Sequence, residues 1–188
     1  MSPFYPGTSG DERKEAKMEK KLTKENILLI SIVAMIILMD QALKIWVQNV
    51  GEITIISGVL NFKVSENTSA AYGIGSSSTI MYVLTNVIIL GVIFKFMTAQ
   101  NEFVDKKLKI FLSFIIAGGI SNVIDKLLRG YVIEFIDFRQ VVNLPIFNVA
   151  DLFVIIGWVA IAAIFASFTV KEWRGKKKQN SLEDDDKQ

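Results

Sequence analysis

Neither cysteine nor histidine occurs among the 188 residues. The first absence excludes disulfides, thiolate nucleophiles and cysteine-ligated metals. The second removes Ser-His triads, Cys-His dyads and the HExxH zinc helix. A rhomboid-like Gly-x-Ser-x-Gly is missing too, since Gly119-Ile-Ser121-Asn-Val123 lacks its second glycine. An enzyme built on this chain therefore works with carboxylates, lysine, tyrosine or hydroxyls. Neither sign of charge predominates, 21 lysines and arginines standing against 19 acids for a formal net of +2.

What is abundant is apolar surface: 51% of residues are hydrophobic, mean hydropathy is +0.40, and there are 13 phenylalanines. Four runs approach the ~20 apolar residues that a ~30 Å hydrocarbon layer requires. They fall at about 26–47, 80–97, 108–124 and 152–170. The fold class expected is an all-α membrane protein, a bundle of four transmembrane helices with a small β-cradle outside it. Residues 1–24, with six basic and four acidic side chains, read as a disordered cytoplasmic extension, too long and too mixed in charge for the n-region of a signal peptide. Residues 25–170 form the membrane domain, and 171–188 a charged, solvated cytoplasmic tail with a basic cluster suited to anionic head groups. Between the first two spans, Ile53–Ile56 and Val59–Val64 are β-branched and aromatic, and Ser57-Gly58 between them predicts a hairpin.

Polar residues interrupt the apolar runs in a pattern. Asp40 and Lys44, spaced i,i+4, can pair near the end of the first span, Asp40 lying about 20 Å beyond Ile27 at 1.5 Å per residue. Asn-x-x-Asp occurs twice, as Asn122–Asp125 and Asn148–Asp151, and helical spacing sets each amide beside its own carboxylate. A helix N-cap at Asp151 and a solvated helix end at Asp125 are the plain structural readings of the same residues. Gly118-Gly119 reads first as helix packing. Lys126–Phe147 alternates charged and apolar residues and suits the lipid–water interface.

Lysine and arginine are concentrated in both termini and around 98–107, so these segments are expected to be cytoplasmic, with 50–79 and 126–147 outside. Every intramembrane carboxylate then converges on the outer side. Asp151 and one of the two acids of the connecting segment, Glu134 or Asp137, can form a site that shares one proton. In an extended stretch Glu134 and Asp137 point to opposite faces, so only one of them enters the bundle.

Five blocks in order carry a family resemblance. They are Asp40-x-x-x-Lys44, Asn67-Thr-Ser-Ala-Ala-Tyr72, Gly118-Gly119-x-x-Asn122-x-x-Asp125, Gly130-Tyr-Val-Ile-Glu-Phe135 and Phe147-Asn148-Val-Ala-Asp151. Over about 26–170 the chain resembles the bacterial lipoprotein signal peptidases (signal peptidase II), membrane aspartic peptidases. The resemblance implies a four-helix fold with an extracytoplasmic β-cradle in the bacterial cytoplasmic membrane. It implies cleavage before the diacylglyceryl-modified cysteine of prolipoprotein signal peptides, with no metal and no cofactor. The partners implied are those signal peptides and membrane lipid, not nucleic acid, and the protein is expected as a monomer.

Carried over by position, Asp151 matches one catalytic aspartate, and the other falls on Glu134. Asn67, Asn122, Asp125, Lys126, Asn148 and Gly119 match substrate-binding or site-ordering residues, and Asp40 and Lys44 a structural polar pair. This chain departs from the family at Glu134, at Lys126 in place of an arginine, and at Ser69 and Tyr72 in the second block. Two further readings are a catalytically impaired relative that binds lipidated signal peptides or membrane helices without cleaving them, and a small transporter with a carboxylate proton relay.

The topology is checked with single cysteines, which this cysteine-free chain allows. In intact cells an impermeant thiol reagent is expected to label Glu66→Cys and not Phe103→Cys. The reverse pattern contradicts the assigned orientation.

Overall fold

A backbone crossing hydrocarbon has to satisfy its own hydrogen bonds, and the four apolar runs do so as helices. The computed structural model describes residues 23–68, 79–98 and 104–185. The amino-terminal extension, residues 69–72 of the second motif block, and positions 99–103 lie outside the described residues. The four helices are α1 (Lys24–Val50), α2 (Thr79–Thr98), α3 (Lys106–Arg129) and α4 (Val149–Asp185). Each is long and apolar enough to span a membrane. Local signals set their ends. Thr23 Oγ1 accepts from the Asn26 amide at 3.2 Å, and Asp105 Oδ1 from that of Leu108 at 2.8 Å. Gly130 closes α3 in the left-handed conformation at φ 82°.

Two helix boundaries differ from expectation for the same reason. Helix α3 continues past Ile124 to Arg129, and α4 runs on through the basic cluster to Asp185. Hydropathy stops at the first charged residue, whereas a helix stops where its backbone bonds fail. The charged residues 171–177 are exposed, as a tail would be, but they extend the last membrane helix.

The predicted hairpin forms from β1 (Ile53–Ile56) and β2 (Leu60–Asn67), turning at Gly58 with φ 73°. A third strand, β3 (Val132–Asp137), follows α3 directly and pairs antiparallel with β2, giving the order β1-β2-β3. A bulge in β2 lies between Phe62 and Ser65, opposite the step from Ile136 to Glu134. The sheet sits on the end of the bundle where α1 and α3 finish. Val47 of α1 meets Phe135 and Ile136 of β3 there, and Phe62 lies edge-to-face on Phe135 with centroids 5.2 Å apart.

Helix α3 is the central element. Its most apolar window is 61% buried, against 6% for α2, and α1, α2 and α4 all pack on it. The outward faces carry the lipid-facing side chains, such as Leu38, Ile88 and Val159. The tightest seam is between α3 and α4. A Cβ on Gly118 would come within 2.6 Å of Val154 Cγ2, and one on Gly157 within 2.8 Å of the Phe111 carbonyl. These glycines let the two backbones approach.

Gly157→Val is therefore expected to destabilise the bundle by about 1–3 kcal/mol through overpacking. Gly91→Ala, where an added Cβ meets nothing within 4 Å, is expected to be neutral or slightly stabilising. Thermal unfolding of both variants in detergent checks the contrast.

Candidate active site

Lys44 is fully buried inside the bundle, and each of its three N–H bonds has an acceptor. They are Asp40 Oδ2 at 2.6 Å, Asp125 Oδ2 at 2.8 Å and Asn122 Oδ1 at 3.2 Å. The i,i+4 pair read from sequence is thus half of a larger cluster. Arg129 binds Asp125 Oδ1 at 2.7 Å, so two buried carboxylates face two cations. The remaining lone pairs are used as well. Asp40 Oδ1 accepts the backbone amide of Ala150 at 2.9 Å, one of the orphan donors at the start of α4. Asp40 Oδ2 also takes the Ser121 hydroxyl at 2.7 Å. Asp125 accepts from Gln41 Nε2 at 2.9 Å and from the Ile133 amide at 3.1 Å.

The two Asn-x-x-Asp pairs do not each close on themselves as expected. Asn148 and Asp151 form a reciprocal capping box. Asn148 Oδ1 accepts the Asp151 amide at 2.8 Å, and Asp151 Oδ2 accepts the Asn148 amide at 3.1 Å. The N-cap of α4 is thus Asn148, with Asp151 three residues into the cap. Asn122 instead reaches across the α3–α4 seam, donating to Asp151 Oδ1 at 2.8 Å. Its oxygen accepts from Asn148 Nδ2 at 3.0 Å as well as from Lys44. Asp125 is fully buried, which rules out the solvated helix end.

The same network grips β3. The Ile133 amide goes to Asp125, and its carbonyl accepts from Asn148 Nδ2 at 3.0 Å. The next residue, Glu134, shares a face with Val132, whose cross-strand partner is Asn67. Asn67 Nδ2 accordingly donates to Glu134 Oε1 at 2.6 Å. Burial raises the Glu134 pKa above its ordinary value, the charge of Asp151 adds to this, and the Asn67 hydrogen bond opposes it.

Glu134 and Asp151 open on one cavity of about 270 Å³. Asn67, Asn122 and Tyr82 supply its other polar walls, and Pro145, Ile146 and Phe147 an apolar one. Asp137 lies elsewhere, on a second hollow with Glu52, Asn61 and Lys63. Hydrogen bonds from Arg139 hold its pKa down at about 2. The strand alternation thus separates the two acids.

Lys126 was expected at the lipid–water interface with the segment that follows it. It is buried instead, while Leu127 and Leu128 are 63% and 73% exposed. In a bilayer the outward face is the apolar one, so the helix end is inverted relative to a soluble amphipath. Lys126 Nζ donates to the Thr68 carbonyl at 2.8 Å and lies 5.2 Å from the centroid of the Tyr82 ring. Gly119 packs against Leu90 of α2, away from the cavity lining. Among the described residues no group of three or more acids, histidines or cysteines could share a metal ion.

Sequence reasoning missed Gln41, Ser121 and Tyr82. Gln41 donates to Ser121 as well as to Asp125, and its place between Asp40 and Lys44 was the available signal. Nothing in the sequence marks Tyr82, which enters the site from α2.

Comparison with known proteins supplies a family. The sequence profile of signal peptidase (SPase) II matches residues 32–168. The lipoprotein signal peptidase of Clostridium novyi is 33% identical over 133 residues, covering 67% of this chain and 88% of its own length. That of Clostridium tetani is 35% identical over 150 residues, covering 76% and 92%. In three dimensions the chain is similar to a bacterial membrane enzyme whose structure was obtained by the in meso method. The TM-score is 0.67 at 28% identity, over 76% of this chain and 89% of that one.

Removing the lysine tests the cluster. Lys44→Met leaves Asp40 and Asp125 buried without their shared cation, and is expected to cost about 3–5 kcal/mol. Adding Asp40→Asn should recover part of that loss. Unfolding in detergent measures both, and a Lys44→Met change under about 1 kcal/mol contradicts a buried, fully engaged ammonium.

Proposed function

The chain belongs to the signal peptidase II family, and from that premise we propose that it is an aspartic-type membrane endopeptidase that removes signal peptides from diacylglyceryl-modified prolipoproteins, cutting before the lipidated cysteine. The observation that carries this reading is that Asp151 and Glu134 line one cavity, each held by an asparagine amide. The cavity lies at the end of the bundle assigned to the outer face of a bacterial cytoplasmic membrane, where the lipidated cysteine would be. Its apolar wall at Pro145–Phe147 suits an extended, largely apolar peptide.

The two carboxyls divide the work by their surroundings. Asp151 sits in the first turn of α4, at the positive end of the helix, and accepts from Asn122 and Asn148. It is the ionised member and takes a proton from water. Glu134, which lies away from any helix N-terminus and accepts from Asn67, is the member assigned the proton. Asn67 occupies its Oε1, so the proton belongs on Oε2. As water attacks, the C–O bond forms, the carbonyl π pair moves to oxygen, and the Glu134 proton goes to that oxygen. On collapse the C–N bond breaks, the nitrogen takes the proton held by Asp151, and the gem-diol returns one to Glu134. Glutamate in this position keeps the acid chemistry at a longer reach.

A gel-shift assay with a diacylglyceryl-modified prolipoprotein tests the reading. Wild type is expected to cleave. Binding without turnover would assign the chain to the non-cleaving relatives. Asp151→Asn and Glu134→Gln should each lower turnover by about 10²–10⁴-fold with folding retained, whereas Asp137→Asn should leave it near wild type.

The pH dependence follows from the direction of the Glu134 shift. A carboxyl whose folded pKa is raised is protonated more readily in the folded state than in the unfolded one. Its contribution to stability is full below the ordinary glutamate pKa and is lost as pH rises through the raised folded value. Turnover should fall over that same upper window as the acid loses its proton. Glu134→Gln should remove this component from the stability profile, read as melting temperature against pH.

A further inference from the structure

We propose that the hydroxyl of Tyr82 is a further catalytic group, the hydrogen-bond donor to the carbonyl oxygen of the scissile peptide. The inference rests on reading the cavity as a peptidase site. The carbonyl oxygen gains electron density as water adds, and a donor aimed at it stabilises that step. Lys44 is near both acids, but its three N–H bonds are all engaged by Asp40, Asp125 and Asn122. Asn67 gives an N–H to Glu134, and Asn122 gives one to Asp151. Lys126 donates to the carbonyls of Thr68 and Gly130 at 2.8 and 3.4 Å. Tyr82 lines the cavity, and among the described residues its hydroxyl is influenced by burial and by the charges of Asp151, Asp125 and Glu134, with no hydrogen-bond partner.

The placement fits the task. On α3, Gly118 faces α4 and Gly119 faces Leu90 of α2. Asn122, one turn further on, sits between those two faces. The cavity is a cleft lined by Tyr82 of α2, Asn122 of α3 and Asp151 of α4, together with Val132 and Glu134 of β3. Asp151 enters from the α4 side and Tyr82 from the α2 side, so a peptide laid in the cleft passes between them. The Lys126 ammonium beside the Tyr82 ring is 5.2 Å from its centroid, which fixes the ring and places a positive charge near the developing negative one. The tyrosine keeps its proton throughout. The proton that moves to the carbonyl oxygen is that of Glu134, and Tyr82 contributes only a hydrogen bond that strengthens along the way.

Tyr82→Phe isolates the hydroxyl, because the ring remains to lie against Lys126. With a diacylglyceryl-modified prolipoprotein, kcat is expected to fall about 10²-fold while KM stays near its wild-type value. Affinity for a peptide carrying a tetrahedral hydroxyl in place of the scissile carbonyl should fall in parallel, with affinity for the released signal peptide unchanged. Wild-type kcat in Tyr82→Phe overturns the proposal, as does a loss confined to KM. Wild type and Asp151→Asn are measured alongside. A wild-type protein without turnover overturns the peptidase reading and this proposal with it, whereas active wild type beside an unimpaired Tyr82→Phe overturns the tyrosine role alone.

Discussion

A single ammonium group with every proton engaged underlies the organisation of this membrane protein. Lys44 lies where water cannot reach it, and an isolated charge there would cost several kcal/mol. Asp40, Asp125 and Asn122 meet it from two helices, and Arg129 balances the second carboxylate. Saturation of this kind turns a liability into a constraint. Moving any of the three acceptors strands a buried charge, so α1 and α3 have one register relative to each other at this level. Asp40 extends the constraint to α4 by capping the Ala150 amide, and Asp125 extends it to β3 through Ile133.

The acids of the cavity inherit their positions from that cluster without touching Lys44 directly. Asn122 spans the gap, accepting from Lys44 and donating to Asp151. Asn148 does three things at once: it caps α4 by accepting the Asp151 amide, donates to Asn122 and holds the Ile133 carbonyl next to Glu134. One side chain therefore links the backbone positions of both acids. The cavity acids are fixed by asparagines, which carry no charge of their own. The ions that stabilise the assembly are kept one layer further in.

Much of this is legible in the sequence alone. Hydropathy located four spans because a bilayer demands long apolar runs, and Ser57-Gly58 marked the hairpin because few other residues tolerate such a turn. The clustering of Asp40, Lys44, Asp125 and Asp151 on one side followed from topology. What stayed hidden was the pairing between elements. Spacing suggested that each asparagine serves its own aspartate, yet Asn122 serves Asp151, because α3 and α4 meet at Gly118 closely enough for the reach across to be short. Lys126 reads as interfacial because charged residues face outward on a helix in water, whereas the outer surroundings of this helix end are lipid. Gln41 and Tyr82 carry no motif, and only the packing of α1 and α2 on α3 brings them to the site.

The central claim is that the cluster delivers two carboxyls to one cavity and that a single proton resides there, on Glu134. Infrared spectroscopy of the protein at neutral pH measures this directly, through the carbonyl stretch of a protonated carboxyl. A band present in wild type, retained in Asp137→Asn and lost in Glu134→Gln is the predicted result. Its absence from wild type, or its persistence in Glu134→Gln, would contradict the account.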